Sequence, residues 1–387
     1  SLSLDGIKKA SDSLEIRGLS TAPLAPHREG SKVEVLNATF SLGNDSEADQ
    51  AFAFYVASYD SVSFNKNTVN ILNADVHNVI GYYSISNNTA DIKDNTVNVV
   101  GGTYELVKAV DVTEDNTSKR ITANVTGNHL SISEVKDSYA EFVGVHLHGY
   151  SEDDYKGINV TGNTVSLVNS EIGDLVVAYS GTPENPHFFN TGNTAKFEGV
   201  NKVNGFLGGF DRMEYTVNAN NKDEAVLTLN YAPIETASLK SGPTYTHKFD
   251  GTTIAVTKRP GVEDSISYKL ISVTGVDAQF TNTTVASDGT FVNSEWNVND
   301  FTLKDGDTLL VRWGEAPEEP DPDPDPNPGT DPEPDPDIPV LDPDNPDHQT
   351  VTENSKTLSE SLLGTVAFVN QGAEFIADEG LAAMAAA

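Results

Sequence analysis

Polar and apolar residues alternate with a period of two through most of the chain before Lys240, and one short phrase recurs along it. An Asn, often preceded by Gly, leads an alternating apolar triplet at Asn67-Thr-Val-Asn-Ile71, Asn95-Thr-Val-Asn-Val99, Asn128-His-Leu-Ser-Ile132, Asn163-Thr-Val-Ser-Leu167 and Asn193-Thr-Ala-Lys-Phe197. The first apolar residues of these copies, Val69, Val97, Leu130, Val165 and Ala195, lie 28, 33, 35 and 30 residues apart. Weaker copies extend the series back to Val33 and forward to Ala225 and Ile254. A repeat near 30 residues is the signature of a solenoid or a propeller.

Each period holds more than one strand. After the Asn-led strand comes a run rich in Val, Gly and aromatic residues, as at Val79–Ile85, Leu106–Val112, Phe142–His148, Leu175–Tyr179 and Val203–Phe210. A third short run closes the unit, as at Ala90–Asp94, Ile121–Val125 and Ile158–Gly162. A four-stranded propeller blade needs about 40 to 45 residues, too many for this period. Helical repeats of this length would alternate at 3.6 rather than two. The pattern therefore predicts an all-β fold, a right-handed three-faced parallel β-helix. Seven or eight turns of roughly 4.8 Å make a rod of about 35–40 Å. Asn at the corners tolerates left-handed backbone angles and can hydrogen-bond to its equivalents in adjacent turns. Residues 1–239 read as the repeats. Residues 240–314 keep strands but lose the Asn-led phrase, which predicts a C-terminal cap over otherwise open strand edges.

Charge sharpens the organisation. The 387 residues carry 24 Lys+Arg against 58 Asp+Glu, a formal net charge of -34. That sign repels phosphate backbones, so no nucleic-acid partner is expected. Residues 315–349 alone hold 13 acidic residues, no Lys or Arg, and 12 of the 19 prolines. Pro at alternate positions forbids helix and sheet, so 315–354 reads as an extended, disordered acidic spacer. Residues 355–387 are Ala-rich and helical in propensity, with an apolar stripe from Leu358 to Ile376 that calls for a partner. No signal peptide is visible at SLSLDGIKKA. Both ends read as though cut from something longer. The absence of cysteine removes disulfides, thiolate metal sites and a Cys nucleophile.

The Asn-Thr-Val repeats, the acidic Pro spacer and the closing segment SLLGTVAFVNQGAEFIADEGLAAMAAA together resemble a Gram-negative monomeric autotransporter. The repeats resemble its passenger, and the tail resembles the segment that joins passenger to a β-barrel translocator, here missing. The resemblance implies a passenger secreted to the cell surface and anchored at the outer membrane through that barrel. It also implies a folding-promoting C-terminal part at Lys240–Trp313, and it accounts for the lack of Cys in a chain that crosses the membrane unfolded.

No catalytic phrase stands out. Gly149-Tyr-Ser-Glu lacks the second glycine of a serine nucleophile turn, and the six Arg align with no acidic cluster on a repeat column. Asp153 and Asp154 are adjacent, so as loop neighbours they point apart rather than forming a glycosidase pair. His146 and His148 share one strand face and could bind a metal with a carboxylate from Glu152–Asp154, but read better as two surface histidines. No cofactor and no metal are expected. Several turns of the second run look apolar on both faces, which predicts an outward stripe built from Tyr82, Tyr83, Phe142, Tyr179, Phe206 and Phe210 beside His146 and His148. Loops such as Ser180–Phe188 or Tyr150–Gly157 are the alternative cover for it. The expectation is a non-enzymatic adhesin for host or bacterial surface proteins or glycans. A passenger enzyme acting on polysaccharide or ester substrates, and a self-associating aggregation factor, are the alternatives.

Overall fold

Alternation puts every second residue of the Asn-led strands inside. In Thr68–Leu72, Val69 and Ile71 are fully buried while their neighbours stay half-exposed, and the pattern repeats in Thr96–Val100, His129–Ser133 and Thr164–Val168. Each β-branched residue so buried contributes roughly 1.5–3 kcal/mol. The computed structural model describes residues 1–9, 13–22, 30–114, 122–136, 140–148, 158–182, 185–189, 191–230, 246–292 and 299–315. The expected spacer beyond Glu315 and the segment 355–387, for which a helix is expected, lie outside them.

The described residues are all-β, 67% strand and 2% helix, which excludes a helical repeat among them. They form a parallel β-solenoid of about 7 turns with about 31 residues per turn. Ten strands stack into one sheet, A, and Val69, Val97, Leu130, Val165 and Ala195 stand in a single register column, as the repeat predicts. The column continues to Phe40 on one side and to Met213, Ile254 and Val285 on the other. Ile254 belongs to it as expected, but Val33 and Ala225 do not. Val33 pairs with Val62 in a different sheet, and Ala225 precedes the strand Leu227–Asn230. Short alternating phrases look alike on any face, so sequence spacing alone misplaced these two.

The Asn of each phrase marks a corner. Asn67, Asn95, Asn128, Asn163 and Asn193 are buried; the side-chain oxygens of the last four each accept from the amide nitrogen of the Asn one turn earlier, at 2.9–3.1 Å, and that of Asn67 accepts from the Ala38 backbone N–H. Four of these Nδ2 groups also reach a backbone carbonyl of the preceding turn, at 2.8 to 2.9 Å. The left-handed backbone belongs to the residue before the ladder Asn: Lys66, Asp94, Gly127, Gly162 and Gly192 all have positive φ. At the opposite corner Asn73 and Asn169 do take the left-handed angle themselves, with φ of 47°.

In the early turns the second and third runs are not separate, whereas further along Thr103–Glu114 and Thr122–Thr126, and Glu141–His148 and Ile158–Thr161, are distinct strands as the sequence predicts. Asp75–Lys93 is one long strand that folds around two sides of the rod, in an 11-stranded sheet, B. It bends where Gly18, Ala53, Gly81, Ala109, Gly144 and Val177 fall between paired registers. At this bend two successive residues point inward, for example Ala53 and Phe54, both buried in the main core. Small residues fit because the bend runs against sheet A: a Cβ on Gly81 would stand 2.7 Å from the Ala109 carbonyl and 2.6 Å from Val97.

Towards the C-terminus a six-stranded sheet, C, and a three-stranded sheet, D, take over these sides. The run Val203–Phe210 is divided between sheets, Val203 pairing with Ile172 and Leu207 with Leu175. Parallel stacking gives way to antiparallel pairing where Thr308–Arg312 joins Ser267–Thr274 and Phe301–Leu303 joins Asp277–Thr281. The interior here is aromatic, with Phe249, Phe280 and Phe301 in a stack of 4.7 and 4.4 Å spacings.

Candidate functional site

The outward side of sheet B collects the chemistry. Register aligns Arg17, Phe52, Ile80, Lys108, Val143 and Val176 in one column, and Ser20, Tyr55, Tyr83, Asp111, His146 and Tyr179 in the next. The two columns differ in character along the rod.

At the N-terminal end they form a half-buried aromatic group. Tyr55 and Tyr83 stack at 5.0 Å, and Phe52 meets both edge-on at 5.4 and 5.6 Å. The guanidinium of Arg17 lies 4.3 Å from the centre of the Tyr55 ring, a cation–π contact, and is held there by Glu15.

In the middle the columns carry a buried ionic knot. Lys108 Nζ donates to Asp111 Oδ2 at 2.9 Å and lies 3.0 Å from His146 Nδ1, which is itself 3.2 Å from Asp111 Oδ1. Nδ1 faces an ammonium and a carboxylate together, so the imidazole tautomer selects one of them as its hydrogen-bond partner. Burial pushes the Asp111 carboxyl up, but the His146 hydrogen bond and the Lys108 charge outweigh it and hold the group below its ordinary value. The His146 ring packs 4.6 Å from Tyr179. Burial, with the Glu141, Asp111 and Asp174 carboxylates, drives the Tyr179 hydroxyl well above the ordinary phenol range.

At the C-terminal end the face is covered. Asn185–Phe188 folds back antiparallel on Leu175–Thr182, so that Phe188 pairs with Tyr179 and stacks on Phe206 at 5.0 Å. Val143, Val176 and Tyr179 are buried beneath it as a small cluster separate from the main core. Beside it a groove of about 510 Å³ runs between Phe206, Phe210, Phe249 and Lys248.

The expected outward stripe is therefore only partly where the sequence placed it. Tyr83, His146, Tyr179 and Phe206 do lie on the outer side. Tyr82, Phe142 and Phe210 point inward and are core residues. Tyr82 follows the bend at Gly81, which reverses the alternation; its ring stacks on Phe54 at 5.3 Å and its hydroxyl donates to the Thr96 carbonyl. The bend at Gly144 likewise splits Val143, outside, from Val145 and Leu147, inside. His146 is on the outer side as expected but is only 4% exposed, so it is not a surface histidine. His148 ends the strand Glu141–His148, its side chain outside the described set, as are Tyr150–Gly157 and the Glu152–Asp154 loop.

Phe52, Tyr55, Arg17, Lys108 and Asp111 escaped the sequence reading. Tyr55 and Phe52 precede Tyr83 and Ile80 by the same 28 residues that separate Asn67 from Asn95, so one period subtracted would have found them. Among the described residues, no three His, Asp or Glu side chains come together as a metal site. No protein-family model matches the chain, and none of the curated proteins or solved structures compared with it is significantly similar.

Proposed function

We propose that this chain is an autotransporter passenger that acts as an adhesin, a rigid rod presenting the Phe52–Tyr55–Tyr83 group to a protein or glycan of a host or bacterial surface. The repeats, spacer and tail support the passenger reading by resemblance. The adhesive reading rests on one observation: these three rings stand half-buried on the outer side of sheet B, while the apolar cluster further along the same face lies under a folded-back strand. Aromatic rings beside a cation are the side chains that anchor interfaces. Purified rod carrying Tyr55→Ser and Tyr83→Ser should lose about tenfold or more in binding to cells or matrix, the loss expected when anchor residues go. Unchanged binding by a folded variant would sink the idea. The passenger reading is tested separately by the gene downstream, which should encode antiparallel barrel strands.

A second reading, a passenger enzyme, draws on the Asp111 carboxylate beside His146, an acid–base pair in the making. Turnover of a polysaccharide or ester substrate that is abolished by His146→Gln would replace the adhesive reading.

A further inference from the structure

The outer face of sheet A repeats without charge. Its strands Thr39–Leu42, Thr68–Leu72, Thr96–Val100, His129–Ser133 and Thr164–Val168 hold no Asp, Glu, Lys or Arg, in a chain that is 21% charged. Their outward residues stand in ranks that run along the rod. Thr39, Thr68, Thr96, Thr164 and Thr194 form one rank, interrupted once by His129. Ser41, Asn70, Asn98, Ser131 and Ser166 form the next. All of these side chains are half-exposed, and no Phe, Tyr or Trp faces outward from the five strands. Charge returns beyond them, where Lys196 and Arg212 pair with Glu214 at 2.8 and 2.6 Å.

The array is regular and stiff. Register passes through these strands without a bulge, so neighbours in a rank lie about 4.8 Å apart and the two ranks about 6.6 Å apart. Asn98 Nδ2 donates to Asn70 Oδ1 at 2.9 Å, and Asn70 Nδ2 donates to Ser41 Oγ at 3.3 Å, which fixes the amides. The β-branched Thr side chains have restricted rotamers. Among the described residues, none offers a hydrogen-bond partner to the five Thr hydroxyls, so their donors and acceptors are left for something outside the protein.

We infer that this face binds ice, its partner being the hydrogen-bonded lattice of solid water. A discrete ligand would meet a few of these positions, whereas a partner that itself repeats meets the whole array. A charged polymer finds no counter-charge here, and the ring faces of a sugar polymer find no aromatic side chain to stack on. Ice is neutral, periodic and held by hydrogen bonds. Bonds of about 2.75 Å at tetrahedral angles set its second-neighbour oxygens about 4.5 Å apart, within about 0.3 Å of the spacing along a rank. A Thr hydroxyl both donates and accepts, so it can stand in for a water at the lattice surface. Side chains already held in place lose little entropy on contact. This surface is separate from the aromatic face of sheet B, and either can fail without the other.

The test is slow growth of ice from a solution of the fluorescently labelled whole chain, with recrystallisation of fine-grained ice followed in parallel. The expected result is that the chain is taken up into the ice and slows its coarsening. Thr96→Tyr with Thr164→Tyr raises two rings above the plane and should abolish both effects. Circular dichroism verifies that this variant folds. Asn124→Tyr, on the half-exposed outer side of Thr122–Thr126 in sheet B, should leave both effects intact. His129→Thr completes the first rank and should lower the concentration that halts coarsening. Exclusion of the chain from ice, uptake indifferent to the two tyrosines on sheet A, or no gain from His129→Thr would each overturn the proposal. So would retention on crystalline cellulose, or a dimer in sedimentation, that the same two tyrosines remove while ice takes up nothing; either result would assign the face to that partner instead.

Discussion

At each ladder corner one amide side chain serves several neighbours. The Asn128 oxygen accepts from both the backbone and the side chain of Asn95, and its nitrogen donates to the Ile92 carbonyl and to Asn163. Asn128→Ala would strand those partners in the interior, and unpaired buried groups cost about 1–3 kcal/mol each. A loss of roughly 3 kcal/mol or more is expected in denaturant titration. Asn98→Ala, whose amide bonds to Asn70 on the half-exposed outer side of the same sheet, should cost under about 1 kcal/mol. A buried histidine adds to the acid response. His247 is fully buried, and burial depresses its pKa from 6.5 to about 3. The unfolded chain therefore binds a proton that the folded chain refuses between those values, so stability falls as pH drops from 6.5 towards 3. The contribution of this one group is roughly 1.4 kcal/mol per pH unit. His247→Phe should flatten that slope in melts recorded across the window, and an unchanged slope would remove His247 as its source.

At the scale of elements, the bend in sheet B decides which side chains face out. Gly144 makes the point: a Cβ there would lie 2.5 Å from the Val177 carbonyl and 3.0 Å from Val165. Gly144→Ala is accordingly expected to lower stability by about 1–3 kcal/mol in thermal or denaturant melts. An equally stable variant would show that the bend can open. The sheet A strands were legible in the sequence down to the register of Val69 against Val97, because two-residue alternation between fixed corners leaves no freedom. The bend was not, since it breaks the alternation inside a run that is apolar on both sides. Tyr82 and Phe142 were therefore assigned outward when packing takes them in. The Asp111–His146 contact stayed hidden for a related reason. It spans 35 residues, while the turn before it spans 33 at the ladder, so no constant period links the two side chains.

At the scale of the whole rod, each turn touches only its neighbours, and stability is close to a sum over adjacent pairs. Parallel stacking runs through the repeats, and antiparallel strands take over towards the C-terminus. In the sequence this change showed only as the loss of the Asn-led phrase after residue 239, since the repeat reads alike in every copy. The ladder carries one more consequence, because its amides act as a ruler for insertion and loss. Excising residues 67–94 brings Lys66 against Asn95 and removes 28 residues, one complete rung, with every corner still meeting its successor. The shortened protein should keep its strand signal in circular dichroism and scatter as a body about 4.8 Å shorter. A cut of half that length would leave Asn facing apolar core and should fail to fold. Rods of this design can therefore change length only in whole-turn quanta wherever the chain passes an amide, while segments between the rungs remain free to vary.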